Sequence, residues 1–450
     1  MTEARTPSGL PVLIRVWLAL TATLPLVLTL AARVMHRRQS APPERLRERL
    51  GHSSLARPGD RLIWVHAASV GEVTSVARLA RQLLDRGDVA LLVTTTTATG
   101  AATAARLLPG ALHQFLAVDT PAVTRRFLDH WRPDAALFVE GDFWPRMILL
   151  LAARDCPMIL LNARASGSRA RFPVVSAVLL ARMRLITVQD ADIIADLRAL
   201  GLDPTTLSAP GNLKADIDTP TVDEALRNTL IAAAQGRGGW AAVSTHPGEE
   251  TLLLDVQSGL AAKPLLILVP RHPTRGRHLA AELVRRGFLF TQFSKGETPE
   301  TGTDVHLMDA LGVTGTVYSA AGLAFVGGSL VDGHGGHTPF EPIALGCAVL
   351  SGPFVQNFAS AYASLQAVGA ACLVPDAAAL RARIEDLLAG HATRKTMQIA
   401  ALDAFAAQRG ATERTLEALR AALPDLLGPP TREPCHEAGF PLGESDAHEG

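Results

Sequence analysis

The segment Trp64-Val-His-Ala-Ala-Ser-Val-Gly-Glu72 is where the chain first offers chemistry. An apolar run ending at His66 reads as a strand, the small residues after it as a turn, and Glu72 as the opening of a helix. Backbone N–H groups and the positive end of a helix dipole favour an ionised carboxylate there. An ionised acid at the C-terminal end of an α/β strand can take a proton from a hydroxyl. The same residue can also do no more than cap its helix. Neighbouring motifs bear on the choice. Glu140-Gly-Asp142 follows the apolar run Ala135–Val139, Asn162-Ala-Arg164 closes the next run, and Gly211-Asn-Leu-Lys214 comes near the middle of the chain. Singly, these are ordinary solvated loop charges. Jointly, Glu72, Glu140, Arg164 and Lys214 form a set suited to a substrate bearing a carboxylate or a phosphate.

A second set occupies the back half. Ser244-Thr-His-Pro-Gly-Glu249 and Pro270-Arg-His-Pro273 each come after an apolar run, and Arg271 is aimed from a strand end as a phosphate contact or, alternatively, a surface ion pair. Phe325-Val-Gly-Gly-Ser329 leads into Gly333-His-Gly-Gly-His337-Thr-Pro-Phe-Glu341. Thr338 is predicted to cap a helix opening at Pro339, with Glu341 completing a capping box. A helix start there would bind a phosphate, and Glu341 could instead accept hydrogen bonds from ribose hydroxyls. Neither a Gly-Lys-Ser/Thr phosphate loop nor a G-x-G-x-x-G fingerprint is present. His66, His246, His272, His334 and His337 all fall at strand ends, but His-Glu-x-x-His spacing and a tight acid triad are missing, so no metal is expected.

These residues need elements to hold them. From about residue 60, strands are expected at 62–66, 89–94, 135–139, 158–162 and 185–189, with helices at 73–86, 100–107 and 191–200 between them. After a turn-rich passage, strands restart at 240–244, 265–270, 288–291, 305–308, 323–326 and 348–351. Such alternation implies parallel sheets covered on both faces. The expected organisation is a membrane anchor with a basic juxtamembrane segment over 1–40, a Rossmann-like domain over 41–211, a second over 212–427 and a disordered tail over 428–450, the two domains facing a cleft. A formal net charge of zero over 450 residues argues against a nucleic-acid partner. Cys156, Cys347, Cys372 and Cys435 lack Cys-x-x-Cys spacing, which fits a reducing compartment. Val16–Val34 is apolar enough to read as an uncleaved single-pass anchor, with a buried or interfacial (monotopic) helix as the alternative. Arg33, Arg37, Arg38, Arg45, Arg47 and Arg49 put the rest of the chain in the cytoplasm and near anionic lipid.

Taken together, the motifs resemble the 3-deoxy-D-manno-octulosonic acid (Kdo) transferases, membrane-anchored GT-B enzymes of lipopolysaccharide biosynthesis. The resemblance rests on His66-Ala-Ala-Ser-Val-Gly-Glu72, Thr94-Thr-Thr-Thr-Ala-Thr-Gly100, Glu140 with Trp144-Pro145, Asn162-Ala-Arg164, Gly211-Asn-Leu-Lys214, Ser244–Glu250, Pro270–Pro273, Phe325–Leu330 and Gly335–Glu341, in family order. It implies transfer of Kdo from CMP-Kdo to a lipid A precursor (lipid IVA) with inversion, without a cofactor or metal, at the inner membrane. By that resemblance the proton acceptor falls on Glu72 and transition-state stabilisation on Glu140 and Lys214. CMP contacts fall on Pro270 and Arg271, on Leu311, Gly312 and Val313, and on Thr338, Pro339, Phe340 and Glu341. Three departures stand out. Asp142 replaces a Glu, Val313 replaces an acid beside the nucleotide, and Thr338 replaces an Asn after an insertion-like Asp332-Gly-His334. A related transferase using another nucleotide sugar, or a non-catalytic membrane-tethered binding protein, are the alternatives these departures leave open.

Overall fold

The computed structural model describes residues 9–428 apart from 142, 143, 165 and 218. Asp142 and the expected tail beyond Gly428 therefore lie outside the described residues. Contacts divide the chain into two compact units, one running to Lys214 and resuming at Gly410, the other spanning Ala215–Arg409.

The first unit is built on a parallel seven-stranded sheet. Its strands are β1 (Arg61–His66), β2 (Val89–Thr95), β3 (Leu112–Phe115), β4 (Ala135–Val139), β5 (Met158–Ala163), β6 (Leu185–Val188) and β7 (Leu207–Ser208), in the order β3-β2-β1-β4-β5-β6-β7. The central strands are buried on both faces, as parallel strands are. Alternate residues feed two cores: Leu62 and Trp64 join Phe127, Trp131 and Phe138 on one side, and Ile63 and Val65 join Val73, Val76 and Leu79 on the other. The five strands expected here lie within a residue of their expected bounds; β3 and β7 were not expected at all. β3 carries His113 and Gln114 in its short run and β7 is two residues long, so neither has an apolar signature.

The second unit repeats the plan with β8 (Gly239–Thr245), β9 (Leu265–Pro270), β10 (Phe290–Gln292), β11 (Val305–Leu307), β12 (Leu323–Val326), β13 (Ala348–Ser351) and β14 (Ala371–Leu373), ordered β10-β11-β9-β8-β12-β13-β14. The helices Ala411–Ala422 and Pro424–Leu427 do not belong to it. Ala411, Leu416, Leu419, Leu423 and Leu427 pack with Val73 and Val76 in the first unit. The domain boundary expected at 211/212 falls at 214/215, and the segment after Arg409 returns to the first unit rather than extending the second. A helix rich in Ala and Leu fits either core, so its sequence does not name its host.

The N-terminal apolar stretch forms two helices, Val12–Thr23 and Pro25–Arg38, bent by 83° at Leu24-Pro25. Among the described residues no single helix is long and apolar enough to cross a membrane. The unbroken span expected over 16–34 is interrupted because Pro25 supplies no N–H to the preceding turn. The first helix is tied to the unit by Trp17 Nε1, which donates to Asp119 at 2.7 Å, and by the Arg146 guanidinium, which donates to the Leu18 carbonyl and Thr21 Oγ1. Ile14 is buried, while Leu20, Leu26, Val27 and Leu30 are exposed.

Candidate active site

In a doubly wound sheet the crevice lies where the strand order reverses, at the carboxyl ends of the strands. In the first unit that point falls between β1 and β4, which pair in parallel. Glu72 follows β1 and Glu140 follows β4, so the sheet order alone brings the two acids to one place.

Glu72 sits in the first turn of the helix Val70–Leu84, whose N-cap is Ser69. Its carboxylate accepts from the Ala68 N–H at 2.8 Å and the Ser69 hydroxyl at 3.1 Å. The capping geometry is thus present, but the electrostatic outcome differs from the expectation. Burial pushes the Glu72 carboxyl above its ordinary value. The Ala68 hydrogen bond pulls it back, Glu140 adds to the rise, and His66 and the Ser69 hydroxyl oppose it. Desolvation outweighs the hydrogen bonds at the helix start. A carboxyl raised in this way is a stronger base once ionised, which suits proton abstraction.

Glu140 is held more tightly. Its side chain is 9% exposed, with Lys214 Nζ at 2.6 Å from one oxygen and Arg164 Nε at 3.3 Å from the other. Glu140 has φ 61 and Asn162, at the end of β5, has φ 56. A left-handed backbone costs a residue with a Cβ about 1–2 kcal/mol, less for Asn, and such strain gathers at ligand sites. Asn162 then does a second job. Its buried side-chain oxygen accepts from the Leu213 N–H at 2.9 Å, and Asn212 Oδ1 accepts from the Lys214 N–H at 2.9 Å. The Gly211–Lys214 segment is therefore pinned to the end of β5, and that pinning delivers the ammonium to Glu140. The structure brings together Glu72, Glu140 and Lys214 as expected from sequence; Arg164 joins them through a side chain that is 58% exposed. The positioning role of Asn162 was not anticipated, although its presence in a strand-end motif was the available signal.

In the second unit the switch point lies between β8 and β12. Here Glu249 is the organiser. Fully buried, it accepts four backbone N–H bonds: from His246 and Gly328 on one oxygen, and from Ser329 and Leu330 on the other, at 2.7–3.0 Å. This lashes the loop after β12 to the loop after β8. Gly327 passes over Ser244 so closely that a Cβ would lie 2.6 Å from the Ser244 carbonyl. On this platform four imidazoles gather. His246 stacks on His334 at 3.9 Å between centroids and on His337 at 5.0 Å, and His272 meets it edge-on at 6.2 Å. His246 Nε2 and His337 Nε2 are 2.8 Å apart. Arg271 follows β9 beside them, its backbone N–H donating to the Thr245 carbonyl. Burial first, then the neighbouring imidazoles and Arg271, push His337 down to about 4. The fifth histidine, His66, is elsewhere, buried in the first unit with Nδ1 on Thr94. Among the described residues, no group of three or more His, Cys, Asp or Glu is arranged to hold a metal ion.

Pro270 closes β9 and leads directly into Arg271. The Thr338 region departs from its expected form. The helix is Phe340–Ala344, five residues long, with Pro339 as N-cap and no side-chain cap. Thr338 Oγ1 accepts from the Phe340 N–H at 3.3 Å, but Glu341 does not close a capping box; it accepts instead from Thr314 Oγ1 at 3.3 Å. Pro342, which follows Glu341, denies the helix the regular start a capping box needs. Burial raises the Glu341 carboxyl, with Thr314 and Arg271 opposing. Of the other predicted contacts, Leu311 is exposed, Gly312 turns the chain with φ 78, and Val313 is buried in the apolar cluster around Val317 and Tyr318. Phe340 is buried in an apolar cluster with Ile343 and Tyr362.

The family model described as 3-deoxy-D-manno-octulosonic-acid transferase (kdotransferase) matches residues 44–217. The chain is 34% identical over 391 residues to the 3-deoxy-D-manno-octulosonic acid transferase of Haemophilus influenzae, covering 84% of this chain and 91% of that one. It is 36% identical over 384 residues to the Bordetella pertussis transferase of the same name, covering 81% and 87%. Among solved structures, a glycosyltransferase from Rickettsia africae superposes with a TM-score of 0.52 at 12% identity, covering 81% of this chain and 99% of that one. The two parallel sheets and that likeness make the fold GT-B.

Since the Glu72 carboxyl is raised from its ordinary 4.5, its contribution to stability is present below about that pH and lost as pH rises through the folded value. At pH 7.5 the charged side chain therefore costs stability. Glu72→Gln is expected to raise Tm by a few degrees at pH 7.5, with the gain vanishing by pH 4. Thermal melts across pH check it; an unchanged or lower Tm at pH 7.5 would contradict the desolvation argument.

Proposed function

The chain belongs to the 3-deoxy-D-manno-octulosonic acid transferase family and is a glycosyltransferase; from that premise we propose that it transfers Kdo from CMP-Kdo to lipid IVA, inverting the anomeric centre. The observation that carries the mechanism is the half-buried Glu72 beside the Glu140–Lys214 pair. Glu72 takes the proton from an acceptor sugar hydroxyl as the oxygen attacks the anomeric carbon. The anomeric C–O bond breaks and its electron pair stays on the phosphate of departing CMP. Lys214 and Arg164 together exceed the charge of Glu140 by one, which offsets the carboxylate that Kdo carries. Arg271 and the backbone around Thr338–Glu341 receive the nucleotide, with Pro270 and the Leu311–Val313 turn shaping its seat. Because the leaving group is a phosphate monoester, charge neutralisation serves it better than a protonating acid.

We further propose that the bent helix pair rests on the inner membrane with the catalytic units on its cytoplasmic side. Val12, Leu13, Val16, Leu20, Leu26, Val27 and Leu30 are exposed, a concentration of apolar side chains that water does not favour. Arg33, Arg37 and Arg38 close the second helix, next to where anionic headgroups would lie. Docking of the first helix through Trp17 and Arg146 supports a pair lying in the interface over one standing across the bilayer.

A transferase for a different nucleotide sugar remains the competing reading, favoured by Val313, which is buried among apolar residues where the family carries an acid. Purified protein offered CMP-Kdo and a tetraacylated lipid A precursor should yield a lipid heavier by one or more Kdo units in mass spectrometry. Turnover with a UDP-sugar and none with CMP-Kdo would overturn the proposal. Glu72→Gln is expected to lower kcat at least about 10³-fold while CMP still binds; near-normal turnover would remove Glu72 as the base. Flotation with vesicles containing anionic lipid should carry the wild type upward and leave a Leu20/Leu26/Leu30→Ser variant behind.

A further inference from the structure

The four-histidine cluster at the β8–β12 switch point is not used by the mechanism above. It comprises His246 from the loop after β8, His272 from the loop after β9, and His334 and His337 from the glycine-rich loop after β12. His334 lies in the insertion-like Asp332-Gly-His334 segment. It is exposed and lies flat against His246 with rings 22° apart.

The facing nitrogens constrain the charge of this cluster. With His246 Nε2 and His337 Nε2 at 2.8 Å, one donates and the other accepts, so the pair holds a single proton between its facing nitrogens. A second proton would set two N–H bonds head to head, and the rings would have to part. An anionic oxygen placed between them converts that clash into two charge-assisted hydrogen bonds. The surroundings permit the movement: Gly335 and Gly336 have φ 76 and 78, and Gly328 lies under the His337 ring. The charged and titratable groups facing the pair are Arg271 and His272 from the β9 loop, Glu249 beneath His246, His334 above it, and Glu341 near Arg271. Burial, Arg271 and the other imidazoles disfavour the charged form of both rings when no anion is present, and an arriving anion opposes them.

We propose that this cluster is a proton-accepting seat for the phosphate of the nucleotide: CMP binds together with a proton from solvent, which is taken up by the His246–His337 pair, with His334 spreading the added charge through its stack. The inference rests on the donor reading above. It fits the charge change in the reaction. The phosphodiester of a CMP-sugar bears one negative charge, and CMP bears nearly two above about pH 6–7. The hydroxyl proton goes to Glu72 and the electron pair of the broken C–O bond to the phosphate oxygen. A proton drawn from solvent onto the imidazoles then matches the charge gained by the leaving group.

Isothermal titration of CMP into the full-length protein at pH 7.5, in buffers of different ionisation enthalpy, counts the protons exchanged. Wild type is expected to take up about half to one proton per CMP, and to bind CMP about three- to tenfold more tightly per pH unit as pH falls from 8 to 7. Cytidine, which lacks the phosphate, should take up none. His337→Gln should cut the uptake by more than half. His334→Ser, an exposed position where misfolding is not at issue, should reduce it and flatten the pH dependence. CMP binding with no proton uptake, or with uptake unchanged in both variants, overturns the inference and leaves the donor reading intact. No CMP binding at any pH overturns both.

Discussion

The Glu140 carboxylate, clamped between Lys214 and Arg164, is the interaction on which the first site depends. It joins three separate pieces of chain: the end of β4, the end of β5 and the Gly211–Lys214 segment. A buried carboxylate losing its partner typically costs about 3–5 kcal/mol, so the segment is not free to wander. The clamp also sets the electrostatics. Without Lys214, only the exposed Arg164 would offset the charge of Glu140 beside Glu72, and the base would be harder still to ionise. One ion pair thus serves both to position Lys214 and to keep Glu72 usable.

The second unit solves a similar problem with a different carboxylate. Among the described residues Glu249 has no cation in salt-bridge contact; four backbone N–H groups take that place and bind the loops after β8 and β12 into one platform. Each unit thus uses a buried acid at its own switch point to hold loops together. Each also carries non-glycine residues in left-handed backbone there: Glu140 and Asn162 in the first, Ser244 in the second. Parallel strands ending side by side expose unpaired backbone groups, and these side chains and bends satisfy them while turning the chain outward.

Much of this was legible in the sequence. Apolar runs such as Leu265–Pro270 and Leu323–Val326 announce themselves, and the residues just past them are where ligands meet a doubly wound sheet. Glu72, Glu140 and Lys214 were singled out in this way. What escaped depends on tertiary context. The pull of the helix start on Glu72 is local and visible; the desolvation that outweighs it depends on what packs around the carboxyl. Glu249 read as one more strand-end acid because three of its four N–H partners come from the distant loop after β12. The helix Ala411–Ala422 gives no sign of which core it will join. The single straight helix expected over 16–34 is broken instead into a bent pair at a residue that was in plain view, Pro25. The capping box at Thr338 failed for a comparable reason, since Pro342 sits one residue beyond Glu341.

The central claim is that Glu72 is a desolvated carboxylate whose ionisation is kept within reach by Lys214 acting through Glu140. Its most direct test is the titration of the Glu72 carboxyl carbon by NMR in 13C-glutamate-labelled protein, the resonance identified by its loss in Glu72→Gln. In wild type the titration should centre above 4.5, and in Lys214→Met it should move higher still. A midpoint at or below the ordinary value, or one that ignores the loss of Lys214, would contradict the account.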